Sequence, residues 1–564
     1  MDYDDSRERN GGHSREPVKG RASLSRRDVL KSAAGTMFAA AGASVAGIFA
    51  GNAAAQISGT TPGGGAVPLR LPMCAVDELD RNQYIQNMEI HAHLSVANLY
   101  QGDRVTSPLW VKGSQRLLLC GGGRFVDITD PRNPVLTNEE SIGGNGDLAY
   151  ATHLKKWIIM TGRGPIITAP NPQYPKGKYH EEYAARSTNY EGFRGIMTHD
   201  ATDPANVTLL QEFNTGETGS GSHANFYDGG RYAYLSCGWD NQLRMESSER
   251  PFSNALMIVD LWDPANIKEV SRWWVPGQRF GEEEEYKKWP FAGDQSSWTS
   301  SHGFTVPKRV EDGGDVCYGG WGSFGMYVHD LTDITKPGVY GRVSHPLEAM
   351  GGIQFHGIYP VPADASHPRL QNLVLGVFEA LEADCREPWH TSYVVDIADK
   401  RNPKIIGLFP RPVPPPEAPY PDFCCSRGRF SSHNAQPWVA PGVAKPSFVA
   451  MTYFNAGIRI YDISEPTAPR EVAYFLPPRA GDMEDFSTWR RGTTEGVFVE
   501  WDRNLVWVTT HEGLYCLSTP SLGEPVLEPR KVTQWTVPHI NAGWDDGTPS
   551  AVYFGRGMRA FRRA

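Results

Sequence analysis

Apolar residues along this chain come in short runs closed by turn residues, with no long stripe at helical spacing. Runs of that kind predict short β-strands. One phrase recurs: an apolar run, an Asp, one apolar residue, and then a turn rich in Asp and Pro. It reads Phe125-Val126-Asp127-Ile128-Thr129-Asp130-Pro131, then Thr198-His199-Asp200-Ala201-Thr202-Asp203-Pro204 and Ile258-Val259-Asp260-Leu261-Trp262-Asp263-Pro264. It returns as Val328-His329-Asp330-Leu331-Thr332-Asp333, Val394-Val395-Asp396-Ile397-Ala398-Asp399 and Ile460-Tyr461-Asp462-Ile463-Ser464-Glu465-Pro466, with a worn copy at Gly513–Leu517. The six leading Asp residues are 73, 60, 70, 66 and 66 residues apart.

The phrase has a physical reading. The apolar run is a strand that ends at the Asp, and Pro, with fixed φ and no N–H, supports a tight turn. A short strand then leaves the turn, as at Val270–Trp274, Lys404–Phe409 and Glu471–Phe475. Two more strand-like runs precede each phrase, such as His223–Tyr227 and Tyr232–Ser236. Four short strands per unit, repeated with long loops between them, predict an all-β fold: one β-propeller of four-stranded blades. The innermost strands are expected to begin near Ser107, Asp147, His223, His302, His356, His433 and Glu495. An eighth unit would begin at His539 and continue through Ala551–Phe554 and Met558–Phe561. It lacks an outer strand, which Tyr84–Leu94 is expected to supply. Seven or eight blades fit the pattern, with eight favoured, over residues 84–564.

Composition agrees with many turns. Gly (59) and Pro (43) together make about 18% of the 564 residues, against roughly 12% in average proteins. The net charge of −9 excludes a basic surface that tracks phosphates, so no nucleic-acid partner is expected. Residues 1–55 read as an export signal. Ser25-Arg26-Arg27-Asp28-Val29-Leu30-Lys31 resembles a twin-arginine motif, an uncharged Ala/Gly-rich run spans 33–50, and Asn52-Ala53-Ala54-Ala55 offers a cleavage site. The expected partner of this segment is the twin-arginine export machinery, and the expected destination is the periplasm or the medium. After cleavage no membrane span is expected, and residues 56–83 read as a linker and N-terminal extension. Residues 1–55 hold eight Lys/Arg and six Asp/Glu, so the remaining 509 carry about −11. Of the eight Cys, Cys120, Cys237, Cys317 and Cys516 lie in apolar runs and predict buried packing. Cys385, Cys424 and Cys425 lie in loop-like stretches where a disulfide can form, with the pairing left open.

The phrase resembles the LVIVD repeat family, whose name Leu256-Met257-Ile258-Val259-Asp260 nearly spells. The resemblance covers about residues 105–530 and implies an exported bacterial β-propeller. It implies no single activity, because function resides in sites grafted on a fold.

Four units carry His at one aligned position: Ser222-His223-Ala224, Ser301-His302-Gly303, Phe355-His356-Gly357 and Ser432-His433-Asn434. Equivalent residues at the start of innermost strands converge on the propeller axis. Four imidazoles meeting there predict a transition-metal site formed by His223, His302, His356 and His433, with copper or iron favoured and zinc admissible. Glu495 and Asp147 hold the same position on the neighbouring units and are the expected groups for proton transfer or support of the ligands. The arrangement is similar to that of propeller metalloenzymes such as carotenoid cleavage oxygenases, which hold iron with four His. Methanethiol oxidase and thiocyanate dehydrogenase use propellers with copper. The similarity implies a metal-dependent oxidoreductase that oxidises or cleaves a small substrate, aromatic ones included. Two alternatives remain: a non-catalytic propeller that binds a partner or cell-surface ligand through inherited structural His, and a hydrolase or lyase with a redox-inert ion. His91 and His93 predict an outer-strand role, and His199 and His329 predict packing between blades. Glu379 and Glu382 are placed where a loop can lean over the channel. Two insertions, Gly277–Trp298 and Pro410–Arg429, precede His302 and His433, and Tyr286, Trp289, Phe291, Tyr420 and Phe423 are candidates to wall a pocket over the site.

Overall fold

A computed structural model of the chain describes residues 79–97, 99, 106–138, 142, 146–164, 192–240, 243, 254–292, 299–345, 352–380, 385, 391–479 and 493–536. All of them lie within the compact unit Pro72–Ala564. The expected leader and its cleavage site lie outside the described residues.

Two strands come first, β1 (Tyr84–Gln86) and β2 (Glu89–Ser95). Blade 1 is β3 (Leu109–Lys112), β4 (Gln115–Cys120), β5 (Arg124–Asp127) and β6 (Val135–Leu136). Blade 2 is β7 (Gly146–Ala151), β8 (Lys156–Arg163), β9 (Gly195–Asp200) and β10 (Thr208–Asn214). Blade 3 is β11 (Gly221–Phe226), β12 (Tyr232–Gly238), β13 (Ala255–Asp260) and β14 (Lys268–Trp273). Blade 4 is β15 (His302–Thr305), β16 (Val316–Gly320), β17 (Met326–Asp330) and β18 (Gly338–Val343). Blade 5 is β19 (Ile353–Pro360), β20 (Leu373–Glu379), β21 (Tyr393–Asp396) and β22 (Lys404–Leu408). Blade 6 contains β23 (Phe448–Thr452), β24 (Ile458–Asp462) and β25 (Arg470–Leu476), and blade 7 contains β26 (Thr494–Glu500), β27 (Leu505–Thr510) and β28 (Gly513–Ser518). Each blade is an antiparallel four-stranded sheet, and the seven form the ring of a β-propeller.

The recurring Asp ends the third strand of blades 1 to 6, and its carboxylate does the same work each time. It accepts the backbone N–H two residues on, at Thr129, Thr202, Trp262, Thr332, Ala398 and Ser464. The apolar residue between them donates its N–H to the carbonyl just before or at the start of strand two, as Ile128 does to Arg116 and Leu261 to Arg231. The second acidic residue closes a turn with its backbone carbonyl, as Asp130 does with Asn133 and Glu465 with Ala468. A register shift follows in the ladder to the outer strand in five blades. Bulges raise local twist, which turns the outer strand relative to its neighbours. Asp396→Ala removes one such Asx turn, whose bond to Ala398 N is 2.8 Å. The expected cost is about 1 kcal/mol, read as a lower urea midpoint at unchanged slope.

Burial follows position in the blade. β20, β27 and β28 are buried at every residue because neighbouring blades cover both faces. The outer strands β10 and β14 are mostly exposed or half-buried. No helix among the described residues is long and apolar enough to cross a membrane. Cys120, Cys237, Cys317 and Cys516 are buried, as predicted, and Cys385 pairs with Cys424 across 39 residues.

Ring closure departs from the sequence reading. β2 pairs with β28 and supplies the outer strand of blade 7. β1 adds to β25 at the rim of blade 6. Blade 6 takes its innermost ladder from 433–436: His433 N bonds Thr452 O, and Gln436 N bonds Ala450 O. Blade 7 then meets blade 1 directly through buried charges. Arg116 on β4 donates to Glu500 Oε1 at 2.6 Å and to Asp502 Oδ2 at 2.7 Å. Arg503 bonds Glu500 Oε2 at 2.6 Å and the Ile128 and Thr129 carbonyls at 2.8 and 3.0 Å. That contact leaves no place for an eighth blade, so the expectation of eight is corrected to seven. The tail from His539 lies outside the described residues.

Candidate metal centre

The innermost strands bring the predicted residues into one arc. His223 lies on β11, His302 opens β15, His356 lies on β19, and His433 begins the inner ladder of blade 6. Successive ring centroids are 5.0 Å apart for His223 and His302, 4.2 Å for His302 and His356, and 4.6 Å for His356 and His433. Asp147 on β7 and Glu495 on β26 flank the arc. Exposure divides it: His223 is exposed, whereas His302, His356 and His433 are 3%, 1% and 5% exposed.

Hydrogen bonds set the tautomers. His302 Nδ1 lies 3.1 Å from the His356 carbonyl, and His356 Nδ1 lies 2.8 Å from the His433 carbonyl. A carbonyl only accepts, so each Nδ1 carries the proton, and a neutral ring then keeps its lone pair on Nε2. Metal-ligating His residues are commonly oriented by this type of bond. At His433 the pattern loosens. Its Nδ1 is 3.3 Å from the Glu495 carbonyl, while Asn434 Nδ2 lies 3.1 Å from that nitrogen and 2.8 Å from the carbonyl.

A carboxylate completes the cluster. Glu379, the last residue of β20, is 7% exposed. Its Oε2 is 3.3 Å from His356 Nε2, and its Oε1 is 3.8 Å from His433 Nε2. One ligand atom each from His302, His356 and Glu379 lies within 4.8 Å of the others. Bonds of about 2.0–2.1 Å to a tetrahedral ion would separate neighbouring ligand atoms by roughly 3.4 Å, so the His356–Glu379 spacing fits. The close set that could hold an ion is thus two imidazoles and a carboxylate, with His433 next to Glu379 and His223 exposed. Ser431 Oγ receives the Ala380 N–H at 2.7 Å, and Ser432 Oγ donates to the Phe378 carbonyl at 2.8 Å, which fixes the end of β20. Arg429 Nη2 bonds Glu379 Oε1. The pair lies 50 residues apart, with no periodic signal to link it.

Other predicted residues take various places. Glu495 Oε1 is 2.7 Å from His511 Nε2, a partner in the hairpin between β27 and β28 that no repeat pattern marks. Asp147 is buried and receives the Thr106 hydroxyl at 2.6 Å. His91 meets Ser518 Oγ at 2.8 Å, and His93 stacks on Tyr515 at 4.0 Å, both on the outer strand of blade 7. His199 and His329 are buried on third strands. Burial lowers both, His329 to about 4, and His329 packs against Trp273 of blade 3 at 4.7 Å. Trp289 and Phe291 pack on Phe324 of blade 4, and Tyr420 and Phe423 pack on each other. Glu382 lies outside the described residues.

No family model and no curated protein matches the chain. The β-propeller domain of Myceliophteria thermophila Cps50 (Swd1) matches at 11% identity and a TM-score of 0.42, over 78% of this chain and 100% of that one. A chain from a mitotic checkpoint complex structure matches at 8% identity and a TM-score of 0.41, over 77% and 95%. A hypothetical selenium-binding protein from Sulfolobus tokodaii matches at 14% identity and a TM-score of 0.35, over 56% and 64%. At these values none carries an argument about ligand or activity.

Proposed function

We propose that the protein is an exported metalloenzyme, an oxidoreductase that acts on a small substrate at a transition metal in the propeller channel. The observation that carries this reading is the cluster of His302, His356 and Glu379, with ligand atoms within 4.8 Å and both imidazoles tied through Nδ1. Two His and one carboxylate with open positions suit non-haem iron, while a larger share of imidazole from His433 would suit copper. Either ion supplies one-electron chemistry when bound. The chain's own residues orient the ligands, and their burial limits access by water. Export is supported by the twin-arginine-like Ser25–Lys31 segment and by the Cys385–Cys424 disulfide, a bond that persists in oxidising compartments.

One observation favours the non-catalytic alternative: the Nδ1–carbonyl bonds join neighbouring blades whether or not an ion binds. Elemental analysis separates the two. The chain without residues 1–55, produced with iron and copper supplied, is expected to hold about one ion per chain. Less than roughly a tenth of an equivalent of iron, copper, manganese and zinc together would overturn the metalloenzyme reading.

A further inference from the structure

Arg429 sits in a three-sided cradle. Its Nη2 bonds Glu379 Oε1. Its Nε and Nη2 donate to the Ala380 carbonyl at 2.9 and 2.6 Å. Its guanidinium lies 4.0 Å from the centre of the Phe454 ring. Phe454 in turn packs on His433, at 4.5 Å between ring centres. Phe454 has φ of +31°, a costly backbone conformation for a bulky residue. The bond from Thr494 N to the Phe454 carbonyl, at 2.9 Å, holds it there. The floor of the cradle is therefore kept at a conformational cost, directly beside the imidazole arc.

The two oxygens of Glu379 have different neighbours. Arg429 occupies Oε1, while Oε2 faces His356 Nε2 at 3.3 Å. A carboxylate whose second oxygen is held by a guanidinium ligates an ion through one oxygen, and a released carboxylate can turn both oxygens onto it. We infer that Arg429 is a positioning residue of the channel site, holding Glu379 to one-oxygen ligation and so keeping a coordination position open for a small exogenous ligand. The inference rests on the metal reading above. It deepens that reading by naming what preserves an open position, the feature that separates catalytic from structural metal sites.

The test uses copper(II)-loaded protein, since copper binds such donors most tightly among divalent first-row ions, with azide as the probe. Azide binding is read from its charge-transfer absorption, and copper content from elemental analysis. In Arg429→Ala the carboxylate is freed, so copper is retained while azide affinity falls at least tenfold. Arg429→Lys keeps a cation on Oε1 and returns most of that affinity; it also serves if the Ala variant does not fold. Retained copper with unchanged azide affinity in Arg429→Ala overturns the inference alone. Loss of copper from both variants also overturns it, because Arg429 would then be holding the fold and not setting the ligation. A parent protein that takes up no copper overturns this inference, and one that also holds no iron, manganese or zinc overturns the metal reading with it.

Discussion

Replacing Glu500 with Ala lowers the free energy of unfolding by roughly 3–5 kcal/mol, the usual result of removing one partner from a buried ion cluster. Glu500 is fully buried, as are Arg116 and Arg503, and Trp507 Nε1 also donates to its Oε2 at 2.7 Å. Removing the carboxylate leaves Arg116 with Asp502 and Arg503 with two carbonyls, too little to replace its charge. The loss falls at the join between blades 7 and 1, so it should appear as a lower midpoint in denaturant for the whole ring. The cluster also fixes a pH dependence. Burial pushes the Glu500 carboxyl up, but Arg503 and Arg116 outweigh it and hold its pKa below the ordinary 4.5. A depressed carboxyl contributes stability that is full above that value and is lost as pH falls through the folded-state pKa. The gap between parent and Glu500→Ala should therefore be widest near neutrality and narrow below about pH 4.5. A gap under 1 kcal/mol at pH 7 would show that the cluster does not secure closure.

His356→Asn is expected to abolish metal binding while leaving the propeller nearly as stable as the parent. The Asn amide nitrogen can take the place of Nδ1 and keep the bond to the His433 carbonyl, which is 2.8 Å long. It provides nothing where Nε2 faces Glu379. Removing groups that merely orient ligands lowers metal affinity about 10–100-fold, and loss of a ligand should exceed that. Metal content should fall below roughly a tenth of an equivalent, with a change in unfolding free energy near 1 kcal/mol. Undiminished metal in this variant would remove His356 from the ligand set. Coupled loss of stability and metal would instead favour the reading in which the His residues lock blade to blade.

Repetition made most of this fold legible. The phrase at Asp127, Asp200, Asp260, Asp330, Asp396 and Asp462 marks six third strands because one Asx turn is built six times. The same period placed His223, His302, His356 and His433 on innermost ladders. Closure was legible in part: Tyr84–Leu94 reads as an outer strand, but β2 pairs with β28 across most of the chain, and such a pairing leaves no local pattern to name the blade. The sequence offers Tyr84–Leu94 as the outer strand of an eighth unit from His539; β2 instead pairs with β28 and completes blade 7. Beyond the repeat the site was legible only at Glu379, which follows an apolar strand run toward the channel. Arg429, Phe454 and His511 occur once each, and only tertiary structure brings them to Glu379, His433 and Glu495. Asp147 holds the repeat position and makes its described bond to Thr106 instead.

The closure by β2 carries a consequence in time. Ser95 pairs with Gly513, so the strand is synthesised 418 residues before its partner. At about 5–20 residues per second, it waits roughly 20–80 s beside a growing array of blades. Through that interval the ring is an open arc, and the blade at its growing end shows an uncovered apolar face. Completion of the ring thus waits on the synthesis of β28. A ribosome that stalls before Gly513 leaves an arc whose two ends can meet only another chain.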